Sequence, residues 1–119
     1  MPTKAEHSGK AAQNEFFVST LGNPFWDWAV TGKFYAALHY VEAYLATKTP
    51  AAHSHNHAIR DSNIHGDPIL RTIYVDYREL ESECHDARYD ASLTFSQGDV
   101  QRLERNLDKI RKVLQPLIV

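Results

Sequence analysis

The chain has little cysteine, holding only Cys84. A single thiol cannot close an internal disulfide, which excludes a small disulfide-stapled secreted scaffold and fits a reducing compartment. Glycine and proline number five each, too few for a collagen-like or loop-dominated chain. No apolar run approaches the ~20 residues of a membrane span. The start, Met1-Pro2-Thr3-Lys4-Ala5-Glu6-His7, lacks the apolar stretch of a secretion signal. A cytoplasmic protein that does not enter a membrane is expected. Excess charge of one sign is missing as well: the net charge is −2 with neutral histidines, so contact with nucleic acid or an anionic surface has to be local.

Strand-like alternation is also absent, whereas helical periodicity and caps recur. The class expected is all-α, in one domain over residues 1–119 whose first part, 1–9, is read as a flexible N-terminal segment. A first helix is expected from Ala5 to Leu21, stopped by Gly22, with Ala12, Phe16, Phe17 and Leu21 inward. Asn23 and Pro24 supply a cap and a first-turn residue for a long helix carrying Phe25, Trp28, Tyr35, Leu38, Val41 and Leu45 and ending near Thr47, before Pro50. A short polar helix is expected over Ser54–Ser62.

After the Gly66-Asp67-Pro68 break, one continuous helix with the stripe Leu70, Ile73, Tyr74, Tyr77, Leu80 and Cys84 should run to about Asp90. Ser96 and Asp99 form an N-terminal box for the last helix, with Phe95 placed to staple onto Val100. Its stripe of Val100, Leu103, Leu107, Ile110, Leu114 and Leu117 has bundle spacing. Short connections between such helices predict an up-and-down bundle of about four or five helices. The last stripe leaves room for pairing between two copies, so a homodimer is expected.

Chemistry concentrates between His53 and His65, a segment holding His53, His55, His57, Arg60, Asp61 and His65. His53, His57, Asp61 and His65 recur every fourth residue. A straight row of that kind offers one metal ion at most two good ligands, so no resident metal and no cofactor is expected. His39 reads as a buried or interface histidine that can line a cleft. Arg88 and Asp90 around Tyr89 read as a helix-end ion pair, with Arg88 able to touch a ligand. Arg102, Arg105, Lys109, Arg111 and Lys112 make the last helix locally basic, while Asp76, Glu79, Glu81, Glu83 and Asp86 make the one before it acidic. That complementarity can serve pairing of two copies or contact with RNA.

The run Phe34-Tyr35-Ala36-Ala37-Leu38-His39, continued by Val41-Glu42-Ala43-Tyr44-Leu45, resembles the Y-Y-A-A-x-H signature of HEPN domains, the higher eukaryotes and prokaryotes nucleotide-binding family. The His/Arg segment, Tyr77-Arg78-Glu79-Leu80, Ala87-Arg88-Tyr89-Asp90 and a closing amphipathic helix follow in the family's order, so the resemblance spans roughly residues 10–118. It implies a small dimeric helical bundle that engages RNA or a nucleotide, either as a metal-independent endoribonuclease of toxin or phage-defence type or as a non-catalytic nucleotide-binding or protein-interaction module. A nucleotidyltransferase-like antitoxin is the partner it implies.

The family's nuclease motif is an arginine followed, after four to six residues, by a histidine. Arg60-Asp61-Ser62-Asn63-Ile64-His65 matches it, and so does the run from Arg78 to His85. Arginine would hold the scissile phosphate, histidine would move a proton for attack by the 2′-hydroxyl, and Asp61 would orient its neighbour. The expected catalytic set is Arg60, His65 and Asp61, with His57, His39 and Arg88 as ligand-binding residues.

Overall fold

The computed structural model describes residues 2–20, 25–48, 54 and 56–118. The expected Leu21–Gly22 stop, the Asn23–Pro24 opening, Pro50, His53 and His55 lie outside the described residues. Within them the chain is all-helical: α1 Lys4–Ser19, α2 Trp26–Leu45, α3 His57–His65, α4 Pro68–Arg71, α5 Tyr74–Tyr89 and α6 Gln97–Ile118.

The bundle is organised around α2, which packs against α1, α5 and α6. Its run Phe34, Ala36, Ala37, Leu38, Tyr40, Val41, Ala43, Tyr44 and Leu45 is buried. A helix apolar on all sides belongs at the centre, and the small Gly32, Ala36, Ala37 and Ala43 let neighbours approach closely. The polar groups that α2 carries inward are each answered. Tyr40 donates to Glu15 on α1 at 2.6 Å, Lys33 meets Glu104 on α6 at 2.5 Å, and the Tyr44 hydroxyl donates to Asp67 at 3.1 Å.

α1 begins at Lys4, inside the segment read as flexible, because Thr3 and Glu6 close a complete capping box. The helix is also rotated relative to the expected stripe. His7 and Ala11 face inward, while Phe16 and Phe17 are 72% and 44% exposed. The reason lies in the contacts α1 makes with α2: Glu15 and His7 reach polar partners there, and those bonds set the facing side. Trp28, carried on α2 with the apolar residues expected there, is 56% exposed.

The continuous helix expected after Pro68 is broken at Thr72–Ile73. There the Thr72 and Ile73 N–H groups donate to Ile69 and Leu70, three residues back rather than four. The Thr72 hydroxyl donates to the Ile69 carbonyl at 2.6 Å. This tight turn between two β-branched residues separates α4 from α5, while Leu70, Ile73 and Tyr77, at helical spacing across it, are all buried as the expected stripe has them. Asp67 starts α4 as expected, accepting from the Ile69 and Leu70 N–H groups at 2.8 and 3.1 Å.

α6 follows its expected entry. The Ser96 hydroxyl accepts from the Asp99 N–H at 3.2 Å and the Asp99 carboxylate accepts from the Ser96 N–H at 2.9 Å. Leu103, Leu107, Ile110 and Leu114 are buried within the chain, and at the end Ile118 is inward while Leu117 is half-exposed. The α5/α6 charge complementarity is likewise used within the chain: Arg102 pairs with Glu79 and Glu83, Asn106 donates to Asp76 and Glu79, and Lys109 faces Asp76. No helix among the described residues is long and apolar enough to cross a membrane.

Gly32 fixes how closely α1 and α2 approach, since a Cβ there would meet Val18 Cγ2 at 2.5 Å, whereas a Cβ at Gly9 meets nothing within 4 Å. Gly32→Ala should lower stability by about 1–2 kcal/mol, because overpacking outweighs the helix-propensity gain. Gly9→Ala, in the exposed interior of α1, should raise it by about 0.5–1 kcal/mol. Urea unfolding of both variants measures the two signs; equal stabilisation by both would mean that the helix contact yields freely.

Candidate functional site

α3 starts at Asn56, whose side chain accepts from the Ile59 N–H at 2.9 Å. The helix then distributes the histidine-rich segment over different directions. Arg60 and Ile64, four residues apart, face the core and are buried, while His65 is exposed. Five residues correspond to about 140° around a helix, so Arg60 and His65 point apart.

Arg60 is not open to a phosphate. Its Nε donates to Glu42 Oε1 at 2.8 Å, with side-chain exposures of 9% and 3%. The other Glu42 oxygen accepts the Ser54 N–H at 3.4 Å. Two oriented donors on one buried carboxylate tie α3 and the segment entering it to α2. His65 instead lays its ring on Tyr74 at 4.3 Å, and its carbonyl accepts from Arg71 at 2.9 Å. Asp61 reaches Arg78 of α5 at 3.5 Å rather than orienting Arg60. The three residues expected as a catalytic set therefore do not converge within one chain.

A different group does converge. An open cleft of about 630 Å³ between α2, α3 and α5 is lined by Phe34, His57, Arg78, Glu81, Ser82, Cys84, His85, Arg88 and Tyr89. Arg78, Glu81, Ser82, His85, Arg88 and Tyr89 follow helical spacing on α5 and so share one face. Arg78 pairs with Glu81, and His57 Nδ1 lies 3.4 Å from the other Glu81 oxygen. His57 also contacts the Arg60 guanidinium at 3.3 Å. The buried Glu42–Arg60 pair thus stands directly behind the cleft histidine.

Aromatic rings form the far wall. Arg88 donates to the Tyr35 hydroxyl at 2.7 Å and stacks over Tyr89 at 5.0 Å, while His85 packs on Tyr89 at 5.0 Å. Burial pushes the Cys84 thiol up from its ordinary range, so it is no ready nucleophile. Of the expected ligand-binding residues, His57 and Arg88 line this cleft. His39 lies elsewhere, beside His7 in a cavity between α1 and α2.

Phe34, Glu81, Ser82 and Tyr89 were missed as site residues. The signal available for them was the polar and aromatic stripe on α5 that contains the second arginine–histidine match, from Arg78 to His85. Among the described residues no group of three or more His, Cys, Asp or Glu is arranged to hold a metal ion. Comparison with family models, curated proteins and solved structures gives no match.

The Arg60–Glu42 pair predicts a structural phenotype. Arg60→Ala strands a buried carboxylate and should lower stability by about 3–5 kcal/mol. Arg60→Met combined with Glu42→Leu should recover part of that loss but not all, because the Ser54 N–H loses its acceptor. Chemical denaturation of the single and double variants reads this out; a neutral Arg60→Ala would show that Arg60 is not tied down in solution.

Proposed function

We propose that the chain is a HEPN-like bundle that engages RNA or a nucleotide in the α2/α3/α5 cleft and that Arg78 and His85, rather than Arg60 and His65, form its arginine–histidine motif. The carrying observation is the convergence of His57, Arg78, His85 and Arg88 with aromatic walls on one open cleft, in a chain whose overall charge offers no general pull towards phosphate. The cleft volume, about 630 Å³, lies within the range of small-ligand pockets.

Each side chain has a physical role in that reading. Arg78 presents a guanidinium for a phosphate, held in place by Asp61 and Glu81. His85, two helical turns on, takes the 2′-hydroxyl proton so that the oxygen attacks the adjacent phosphorus. The leaving 5′-oxygen collects a proton from the second histidine, His57, and the products are a 2′,3′-cyclic phosphate and a 5′-hydroxyl. This endoribonuclease chemistry needs no metal. Tyr89 and Phe34 offer faces for an unstacked base, and Arg88 adds a second cation. Arg60 acts through the fold, as the positioning residue behind His57.

The exposed Phe16, Phe17, Phe25 and Trp28 support a second reading, a protein-interaction module, because aromatic side chains gathered where α1 ends and α2 begins are the kind of surface a partner covers. A second copy of the chain or a nucleotidyltransferase-like antitoxin would be that partner. With the α6 stripe spent inside the chain, this surface replaces it as the candidate homodimer contact.

Cleavage of a mixed pool of structured RNAs in EDTA tests the enzyme reading. The wild type should cut, and Arg78→Ala and His85→Ala should each lose about 10²–10⁴-fold in rate, with circular dichroism spectra unchanged. His65→Ala should cut normally. Loss in His65→Ala with full activity in His85→Ala would return the motif to the α3 match. Intact RNA with the wild type, together with no nucleotide-induced change in NMR shifts of the cleft residues, would leave the protein-interaction module standing.

A further inference from the structure

Of the two arginines on the cleft, only one has carboxylate partners. Arg78 stands between Asp61 and Glu81, whereas Arg88 pairs with no carboxylate among the described residues. The helix-end pair expected with Asp90 does not form, since Asp90 instead accepts from the Ser92 N–H at 3.0 Å and the Ser92 hydroxyl at 2.5 Å. Tyrosines hold Arg88: its Nη1 donates to the half-buried Tyr35 of α2 at 2.7 Å, and its guanidinium lies 5.0 Å from the Tyr89 ring and 5.9 Å from the Tyr35 ring. We propose that Arg88, aimed by Tyr35, binds the phosphate on the 5′-oxygen of the nucleotide whose 2′-hydroxyl attacks, so that an RNA strand lies along α5 with its 5′ side at Arg88 and its 3′ side at α3. Subsite and strand direction rest on the roles proposed for His85 and His57 and go beyond them.

The order of groups along α5 sets the direction. Helical rise separates Arg78 from His85 by about 10 Å and His85 from Arg88 by about 4.5 Å, so His85 stands between the two arginines. The oxygen that attacks belongs to the nucleotide on the 5′ side of the scissile phosphate, and the oxygen that leaves belongs to the nucleotide on its 3′ side. With the scissile phosphate at Arg78 and the 2′-hydroxyl at His85, the 5′ part of the strand continues away from Arg78, towards Arg88. His57 lies on the α3 side, against Glu81, where the leaving nucleotide is placed.

The Arg88 end has the chemistry of a phosphate subsite. A guanidinium without a counter-carboxylate keeps its full attraction for an anion, and one hydrogen bond to Tyr35 leaves its other N–H groups for phosphate oxygens. Because the Tyr35 partner is a hydroxyl and not a carboxylate, it directs the guanidinium without neutralising it. Tyr89, 65% exposed and packed on His85 at 5.0 Å, offers a face to the base of the attacking nucleotide. The negative groups nearby are turned to other partners: Glu81 to Arg78 and His57, and Asp86 to His85 at 3.8 Å. A cation in the last turn of α5 also suits the helix dipole, but the dipole asks for no contact with α2. The bond to Tyr35 is what fixes the guanidinium at the cleft wall.

Binding tests the subsite without requiring catalysis. Adenosine dinucleotides, made uncleavable by a 2′-deoxy first sugar, are titrated into the full chain and followed by NMR shifts of the cleft residues. They are used bare, with a 5′-phosphate and with a 3′-phosphate. A trinucleotide, deoxy at its first two sugars, supplies the same 5′ position as an internal diester. The quantity read is the ratio of affinities within one protein, so a general loss of folding or binding cancels. In the wild type the 5′-phosphate should tighten binding about tenfold. Arg88→Ala should abolish that gain, Arg88→Lys should keep part of it, and Tyr35→Phe should reduce it.

An Arg88-dependent gain seen with the trinucleotide as well places the phosphate inside a longer strand, whereas a gain confined to the terminal monoester makes the cleft a reader of RNA 5′ ends. Both outcomes support the subsite. A 5′ gain that survives in Arg88→Ala overturns it while leaving nucleotide engagement in place. So does an Arg88-dependent gain from the 3′-phosphate instead, or equal affinity of the wild type for bare and 5′-phosphorylated dinucleotides. No shift of the cleft residues with any probe would remove the cleft reading, and the subsite with it.

Discussion

The buried contact between Glu42 and Arg60 is the interaction on which the rest of the arrangement depends. The short polar α3 has little apolar surface, with Ile64 as its one fully buried aliphatic side chain. Packing alone would hold it weakly, since an isolated helix of that length is unstable in water. The guanidinium of Arg60, locked on a carboxylate of the central helix, fixes both the position and the rotation of α3. His57 and Asp61 are thereby turned towards α5, where they meet Glu81 and Arg78. A buried charged pair adds little net stability compared with apolar residues of the same shape, but it tolerates only one registration. Its role here is to specify that registration.

The central helix makes this arrangement possible. α2 is apolar enough to sit in the middle of the bundle, yet it carries Lys33, His39, Tyr40, Glu42 and Tyr44 inward or nearly so. Between them they reach four neighbours: Lys33 meets α6, His39 and Tyr40 meet α1, Glu42 meets α3 and Tyr44 meets the start of α4. These contacts act as addresses written on one helix, and each selects which face of its partner turns inward. On α1 the side that carries the bonds of Glu15 and His7 turns inward with Ala11, and Phe16 and Phe17 stay outside. The aromatic surface left exposed by that choice is what a protein partner could use.

Much of the fold was legible. Caps at Asp67 and Ser96, the α6 stripe and the breaks around Gly66 are local signals, encoded within a few residues, and the helices follow them. The tight turn at Thr72–Ile73 was not, because Leu70, Ile73 and Tyr77 keep ordinary helical spacing across it and no glycine or proline marks the break. The candidate site was legible only as an inventory. Arg60 was singled out by its spacing to His65, but spacing does not report whether a guanidinium is free or already bound, and Glu42, eighteen residues away in the chain, had claimed it. The match from Arg78 to His85 was equally visible, and what distinguishes it is that its neighbours on α5 open on a cleft.

By itself, then, the sequence determined the helical class, the positions of most helix ends and the residue types available for chemistry, because propensity, capping and periodicity act over short stretches of chain. The tertiary structure alone decided which of those residues are consumed in holding the bundle together and which face open space. Pairings such as Glu42 with Arg60, His7 with His39 and Arg78 with Asp61 join residues on separate helices. Whether a charged side chain is buried against its counter-charge or left to meet a ligand depends on how those helices are rotated against one another, and no local pattern encodes that rotation.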